Sequence, residues 1–363
     1  DYKKVFSDWW KRQFRKVAFP QKDSVFDYWL NPEELEFYPW MESPAFQEIT
    51  FDSRTQSMGE VTVPTGETAS VSYWMNLLML SNHAIMLAGL SGTGKTQGIK
   101  GQLGSLNKEE MMFTIINMNF YTSGSVLQSI LELPLQKKTG SLFGPPGAAR
   151  MVYFVDDLNL PEVDKYNTQS GIALIRQHID YTHWYDQVKL TLKTVEKCQY
   201  ITGMNPKAGS GVVNPRLQRH MTTFAIAMPN ASSLMTIYKT FLGGHFAGGF
   251  IAEIGELVES LVKATLVVHK EVTESFRKTA ANFHYEFNIR HLANVFQGLL
   301  TSAPAEFTDP NKFVLLWLHE SERVYGDRLV SMEHYEDFKK ICQAQTKKIF
   351  PLVNVAKYYL PAK

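Results

Sequence analysis

Gly89-Leu90-Ser91-Gly92-Thr93-Gly94-Lys95-Thr96 follows an apolar run at residues 83–88 and leads into a stretch of helical character. This is the Walker A pattern in the strand-loop-helix context that gives it meaning. Its glycines let the backbone curl until successive N–H groups face inward, and the positive end of the following helix points to the same place. Gly89, Gly92, Thr93 and Gly94 shape the cradle, Lys95 reaches the β- and γ-phosphates, and Thr96 offers a hydroxyl to Mg2+. The expected ligand is ATP or ADP with Mg2+.

Outward from the loop, Met151-Val152-Tyr153-Phe154-Val155 ends in Asp156-Asp157. A continuous apolar run of this kind reads as a buried parallel strand, here delivering two carboxylates to the ligand edge of a sheet. Asp156 is expected to hold Mg2+, and Asp157 stands where a base orients the attacking water. Further strands are expected at 83–88, 112–118, 198–204 and 222–227, with helices after Lys95 and at 172–179, which together predict an α/β fold with a parallel sheet covered by helices. Gly144-Pro145-Pro146-Gly147 imitates a second phosphate loop but lacks the Lys and Ser/Thr that would follow, and reads as a turn. Beyond Pro229 the stretches 251–269, 290–300, 312–325 and 334–350 carry apolar residues at helical spacing and predict a small all-helical lid. The expected division is an aromatic-rich segment 1–45, a large α/β subdomain 46–228 and a lid 229–363.

With 37 basic against 36 acidic residues, the chain has no field of the kind on which nucleic-acid or membrane binding rests, so neither is expected as a partner. Cys198 and Cys342, far apart, offer neither a disulfide framework nor a zinc spacing and suit a reducing, cytoplasmic setting. No apolar stretch approaches the roughly 20 residues of a membrane-spanning helix. The chain begins at Asp1 inside an aromatic-rich segment, which reads as a piece of something longer. Trp9, Trp10, Trp29 and Trp40 are costly to leave in water and are expected to cover either a neighbouring module or the chain's own core.

More specific strings lie further on: Val155-Asp156-Asp157-Leu158-Asn159-Leu160-Pro161-Glu162-Val163-Asp164, Met204-Asn205-Pro206-Lys207-Ala208-Gly209-Ser210, Asn214-Pro215-Arg216-Leu217-Gln218-Arg219-His220 and Phe283-His284-Tyr285-Glu286-Phe287-Asn288-Ile289-Arg290-His291-Leu292. Together they resemble the dynein heavy chains, most closely the third AAA+ module of an axonemal, outer-arm kind. The resemblance implies an AAA+ P-loop NTPase fold. It implies Asn205 as the first sensor of the γ-phosphate, Asn119 as the polar residue that holds back the catalytic carboxylate, and Arg290 as the second sensor, reaching from the lid. It implies Arg216 and Arg219 as the arginine-finger region, serving a neighbouring module's nucleotide. Adjacent AAA+ modules and other dynein subunits are the implied partners, in the cytoplasm and the axoneme of a cilium or flagellum. The microtubule is an indirect partner only, because the family reaches it through a coiled-coil stalk that this sequence lacks.

Two departures bear on activity. Most active AAA+ enzymes carry glutamate where this chain has Asp157, and the shorter side chain withdraws the carboxylate by about 1.5 Å, so hydrolysis here is expected to be slow. The helix after the loop carries Gly98, Gly101 and Gly104, each costing about 1 kcal/mol against alanine unless close packing requires it. The expected function is a regulatory nucleotide site in a motor ring. The alternatives are a free-standing AAA+ ATPase remodelling proteins as a hexamer, and a structural module holding nucleotide without turnover.

Overall fold

The computed structural model describes residues 2–20, 22–208, 212–351 and 353. Gly209 and Ser210 of the string quoted above, and the end of the expected lid from 354, lie outside them. The chain divides into two units, Asp1–Phe46 with Gly66–Met228, and Gln47–Thr65 with Pro229–Lys363.

The first unit is organised by five strands, β1 (Ala84–Ala88), β2 (Met111–Asn117), β3 (Arg150–Asp156), β4 (Cys198–Met204) and β5 (Met221–Ala225), paired in the order β5-β1-β4-β3-β2. Every pairing is parallel. Side chains along a strand alternate between faces, and β3 shows both faces filled. Val152 and Phe154 pack with Met75 and Met79 of helix α1 (Gly66–Leu80) and with Ile99 and Leu103 of α2 (Lys95–Gly104). Met151, Tyr153 and Val155 pack on the other side with Leu127 and Leu131 of α3 (Gly124–Glu132) and Ile172 and Ile175 of α4 (Ser170–Tyr181). The expected doubly covered sheet is therefore present, each strand within two residues of its predicted bounds.

A second sheet, absent from the sequence reading, joins Gln136–Thr139, Leu142–Gly144, Leu192–Val195 and His183–Tyr185. Its strands are three or four residues long and Gln136–Thr139 is wholly exposed, so no apolar period announces them. Lys193 fastens it to α3 through Glu132 at 2.9 Å and to its own hairpin through Asp186 at 2.8 Å. The 144–147 segment closes the second strand and turns at Gly147, as expected of a turn.

In the aromatic-rich segment, Trp40 is buried against Tyr73 of α1, and Phe19 sits among Trp10, Tyr28 and Phe37. The helix Tyr2–Gln13 buries only Ser7 and leaves Trp9 about half exposed. Part of the aromatic set thus covers the chain's own first unit.

The second unit is all-helical apart from its leading strap, with α5 (Ala231–Phe246), α6 (Val258–Ser275), α7 (Ile289–Leu299), α8 (Pro310–Tyr325) and α9 (Met332–Ile349) around one apolar core. Tyr238 stacks on Phe296 at 4.0 Å, and the buried Trp317 donates its indole N–H to Thr265 Oγ1 at 2.8 Å. By its contacts Gln47–Thr65 packs with this unit. Phe51 meets Phe241 edge-on at 4.9 Å, Ser53 bonds His245 Nδ1 at 2.7 Å, and Val63 joins the same core. Turn-rich composition could not reveal this, since the contacts lie nearly two hundred residues away in sequence.

Two glycines give opposite expectations. A Cβ on Gly244 would lie 2.1 Å from the Phe51 carbonyl oxygen, whereas one on Gly98 would meet no atom within 4 Å among the described residues. Gly244→Ala is expected to lower stability by about 1–3 kcal/mol by prising the strap from α5. Gly98→Ala is expected to raise it by about 1 kcal/mol. Urea unfolding of the two variants checks both signs.

Candidate functional site

The sheet places its chemistry at one edge because parallel strands end together. The loop after β1 turns through Gly92 and Gly94, with φ of 80° and 85°, and Gly94 caps the start of α2. Lys95, buried in the first turn of α2, donates from Nζ to the carbonyl oxygens of Gly89 at 2.8 Å and Leu90 at 2.7 Å. Thr93 Oγ1 donates to Leu90 O at 3.0 Å and tightens the same curl. Gly89 N–H donates to Met204 O at 3.1 Å, so the loop springs from the edge beside the end of β4.

Across that edge Thr96 Oγ1 donates to Asp156 Oδ2 at 2.7 Å, joining α2 to the end of β3. The other oxygen, Oδ1, accepts the Asp157 backbone N–H at 3.1 Å. Hydroxyl and carboxylate thus form an oxygen-only pair, the donor type that Mg2+ takes. Asp157 follows with an exposed side chain and a left-handed backbone, φ 54°.

Asn205 stands directly after β4, between the phosphate loop and the end of β3, with Oδ1 accepting Lys207 N–H at 3.1 Å. Asn119 is drawn to the same edge by the Met118 N–H to Asp156 O bond at 3.0 Å. Its Oδ1 accepts from Tyr121 N–H at 2.9 Å and Thr122 Oγ1 at 3.1 Å, so this oxygen shapes its own loop.

The arginines differ from one another. Arg219 pairs with Asp180 of α4 at 3.1 Å, and His220 Nε2 lies 2.8 Å from the same oxygen. Arg216, on the short helix Pro215–Gln218, is exposed and has no ion-pair partner among the described residues. Arg290 lies in the second unit, exposed in the first turn of α7, where Asn288 caps it by accepting the Arg290 N–H at 3.0 Å and a His291 capping box closes the turn.

Sequence reasoning passed over Asn159 and Gln169. Asn159 is 1% exposed and donates from Nδ2 to Asn205 O at 2.9 Å and Ala208 O at 2.5 Å. Gln169 donates to Pro161 O at 2.6 Å. The available signal was a lone Asn three residues beyond Asp156 inside an otherwise apolar Leu-Asn-Leu, a polar group that burial obliges to find partners. Cys198 offers no competing chemistry, because burial pushes its thiol up to about 12.

Residues 50–229 match the family described as the P-loop containing dynein motor region, and residues 261–356 match an AAA+ lid domain. Among curated proteins, the chain is 45% identical over 359 residues to the dynein alpha chain, flagellar outer arm, of Chlamydomonas reinhardtii, covering 99% of this chain. It is 43% identical to dynein axonemal heavy chain 17 of Homo sapiens and 44% identical to the dynein beta chain, ciliary, of Tripneustes gratilla, each over 96% of this chain. The similarity reaches through the aromatic-rich segment, where the quoted strings gave little to compare. The chain spans 8% of the length of each of these relatives. Two domain matches in the order of fold and lid, on a parallel sheet with its phosphate loop intact, and identity sustained across the whole length, have one reading: the chain belongs to the axonemal dynein heavy chains, of which it forms an AAA+ module of the motor region.

Proposed function

We propose that this module is a regulatory nucleotide site, the third of the motor ring, in a heavy chain working in the axoneme of a cilium or flagellum. The observation that carries the reading is the 2.7 Å bond between Thr96 and Asp156 at the mouth of the phosphate loop. That pair of oxygens fits Mg2+, the backbone from Gly89 to Gly94 fits a phosphate tail, and Lys95 can swing from its own loop's carbonyls to phosphate oxygens. A bound Mg-ATP or Mg-ADP would be held by these residues, and the metal would neutralise phosphate charge there. Asn205 is poised to report the γ-phosphate, with Arg290 as its counterpart from the lid.

Asp157 supports slow turnover. Its carboxylate is one methylene shorter than the glutamate of most active AAA+ enzymes, and its left-handed backbone suits Asp and Asn better than longer residues. The same residue favours, as a second reading, a module that holds nucleotide without turning it over.

The arginine segment supports exchange of information between modules. Since Arg219 is engaged by Asp180, Arg216 is the arginine available to a neighbouring module's nucleotide. Neighbouring AAA+ modules and other dynein subunits are the partners, the microtubule being reached through other parts of the heavy chain. Nucleic acid and membrane have no place in this reading.

Lys95→Ala is expected to weaken ATP binding at this site by tenfold or more, on the order of the 1.4 kcal/mol or more carried by a charge-assisted contact. Titration with a fluorescent ATP analogue reads it, and unchanged affinity would remove the site assignment. Asp157→Glu is expected to raise single-turnover hydrolysis at this site, and a slower rate would mean that the left-handed backbone holds the pocket to aspartate. Arg216→Ala is expected to leave this chain's own ATP affinity within about twofold while slowing hydrolysis at the adjacent site of the full heavy chain by about 10³ or more. Loss of ATP binding by the isolated variant would place that guanidinium in its own pocket.

A further inference from the structure

Asn159, in the loop after β3, spends its amide on the loop after β4, through the bonds to Asn205 O and Ala208 O. One residue earlier, Leu158 N–H donates to Gly203 O at 3.0 Å, so the two loops are tied by backbone as well. The tie continues. Gln169 Nε2 reaches Asn159 O at 3.4 Å and Pro161 O at 2.6 Å, and Gln169 is the buried residue from which α4 starts. Ile172 and Ile175 of α4 share an apolar cluster with Leu158, Met204, Val213 and Leu217, so the helix is packed against both the site loops and the arginine segment. At its far end, Asp180 receives Arg219 at 3.1 Å and faces His220 Nε2 at 2.8 Å, and the short helix Pro215–Gln218 packs beside it.

We propose that α4 is a strut that ties the phosphate edge of this module to the arginine segment it lends, with Asn159 and Gln169 as positioning residues at one end and Asp180 at the other. The proposal rests on the nucleotide-site reading above and adds its route of regulation. A helix of twelve residues is about 18 Å long and stiff, and both its ends are fixed by hydrogen bonds to loops. A shift of the Asn205 backbone that follows the presence or absence of a γ-phosphate is carried by Asn159 and Gln169 into the start of α4. At the other end it moves Asp180, and with it the segment holding Arg216 and Arg219. Packed side chains and hydrogen bonds linking rigid elements are the physical means by which such coupling travels. The sensor and the lent arginine thereby become parts of one body.

Hydrogen exchange of the backbone amides at residues 212–220 tests the strut, in the full chain with Mg-ADP or with a slowly hydrolysed Mg-ATP analogue. Two near-isosteric variants cut it at opposite ends. Gln169→Glu turns a carboxylate toward two carbonyl oxygens, and Asp180→Asn removes the charge that holds Arg219. In the unaltered chain the segment is expected to exchange at least about threefold more slowly with the ATP analogue than with ADP. In each variant the difference is expected to disappear while ADP affinity stays within about twofold of the unaltered chain. A merely structural role would lower stability without erasing a nucleotide-dependent difference at a distant segment. If Gln169→Glu fails to fold, Asp180→Asn gives the same reading from the outer end of the helix. A nucleotide-dependent difference that persists in a folded variant overturns the strut, as does an unaltered chain that binds both nucleotides with no difference at 212–220. An unaltered chain that binds neither nucleotide overturns instead the functional reading on which the strut rests.

Discussion

Parallel pairing of β4 with neighbours on both sides is the constraint on which the rest of the molecule depends. Ile201 lies opposite Ile85 of β1 and Phe154 of β3, and from there the three strands run to the same edge. Residues 89–96, 156–157 and 205 are far apart in the chain, and ordering the segments between them costs about 1–2 kcal/mol of backbone entropy per residue. What offsets that cost is apolar burial on both faces of the sheet, with Tyr153, Phe154, Tyr200 and Ile201 all within it. Shifting β4 by one residue would exchange its two faces and put Cys198 and Tyr200 where Gln199 and Ile201 now pack. Such a slip would also carry Asn205 and the Asn159 tie away from Asp156.

This arrangement explains what the sequence could and could not disclose. Strands covered on both faces must be apolar throughout, so β1, β3 and β4 stand out as runs, and the phosphate loop stands out because bound phosphate demands its residues one by one. The small sheet built from Gln136–Thr139 to Leu192–Val195 had no such signature. Its strands are short and its buried anchors, Trp184 and Val195, stand singly among exposed or half-exposed residues, while Lys193 adds ion pairs to residues 61 and 7 positions away. The strap Gln47–Thr65 was hidden for a related reason. Its membership of the helical unit depends on Phe51 against Phe241 and on a close approach at Gly244, and neither partner is predictable from the strap itself. Asn119 was legible as a polar residue at a strand end, but the bonds to Tyr121 and Thr122 are set by the turn that follows.

The helix α2 illustrates how a motif can be correct while its support is thin. Ile99 and Leu103 bury against the sheet, yet among the described residues no atom lies within 4 Å of a Cβ built at Gly98 or Gly104. Close packing against the described elements therefore does not account for those two glycines. At Gly98, in the helix interior, the helix gives up about 1 kcal/mol without a compensating contact among the described residues. What holds its N-terminus in place is the pair of anchors at its first turn, Lys95 on the Gly89 and Leu90 carbonyls and Thr96 on Asp156. These are the groups that a bound phosphate tail and its metal would engage, so occupancy of the site and order at the start of α2 are linked. A ligand that binds only the folded loop stabilises it by mass action. A soft helix makes that linkage larger than a rigid one would.

Asp157 shows the backbone and the chemistry pulling together. A residue with φ near 54° is in the left-handed region, where Asn and Asp are enriched because a short polar side chain can bond locally. The Asp157 N–H is held by Asp156 Oδ1, and the same carboxylate holds Thr96 through Oδ2. The turn that supplies the metal-side carboxylate with its amide partner therefore also sets the conformation at the next residue, where glutamate would sit less easily. An aspartate at this position then need not be read only as a catalytic residue that has retreated. It is also the acid that this turn accommodates best, and a site that keeps the turn holds Thr96 and Asp156 in register. The geometry that joins Thr96 to Asp156 is thus secured together with the main chain of the turn.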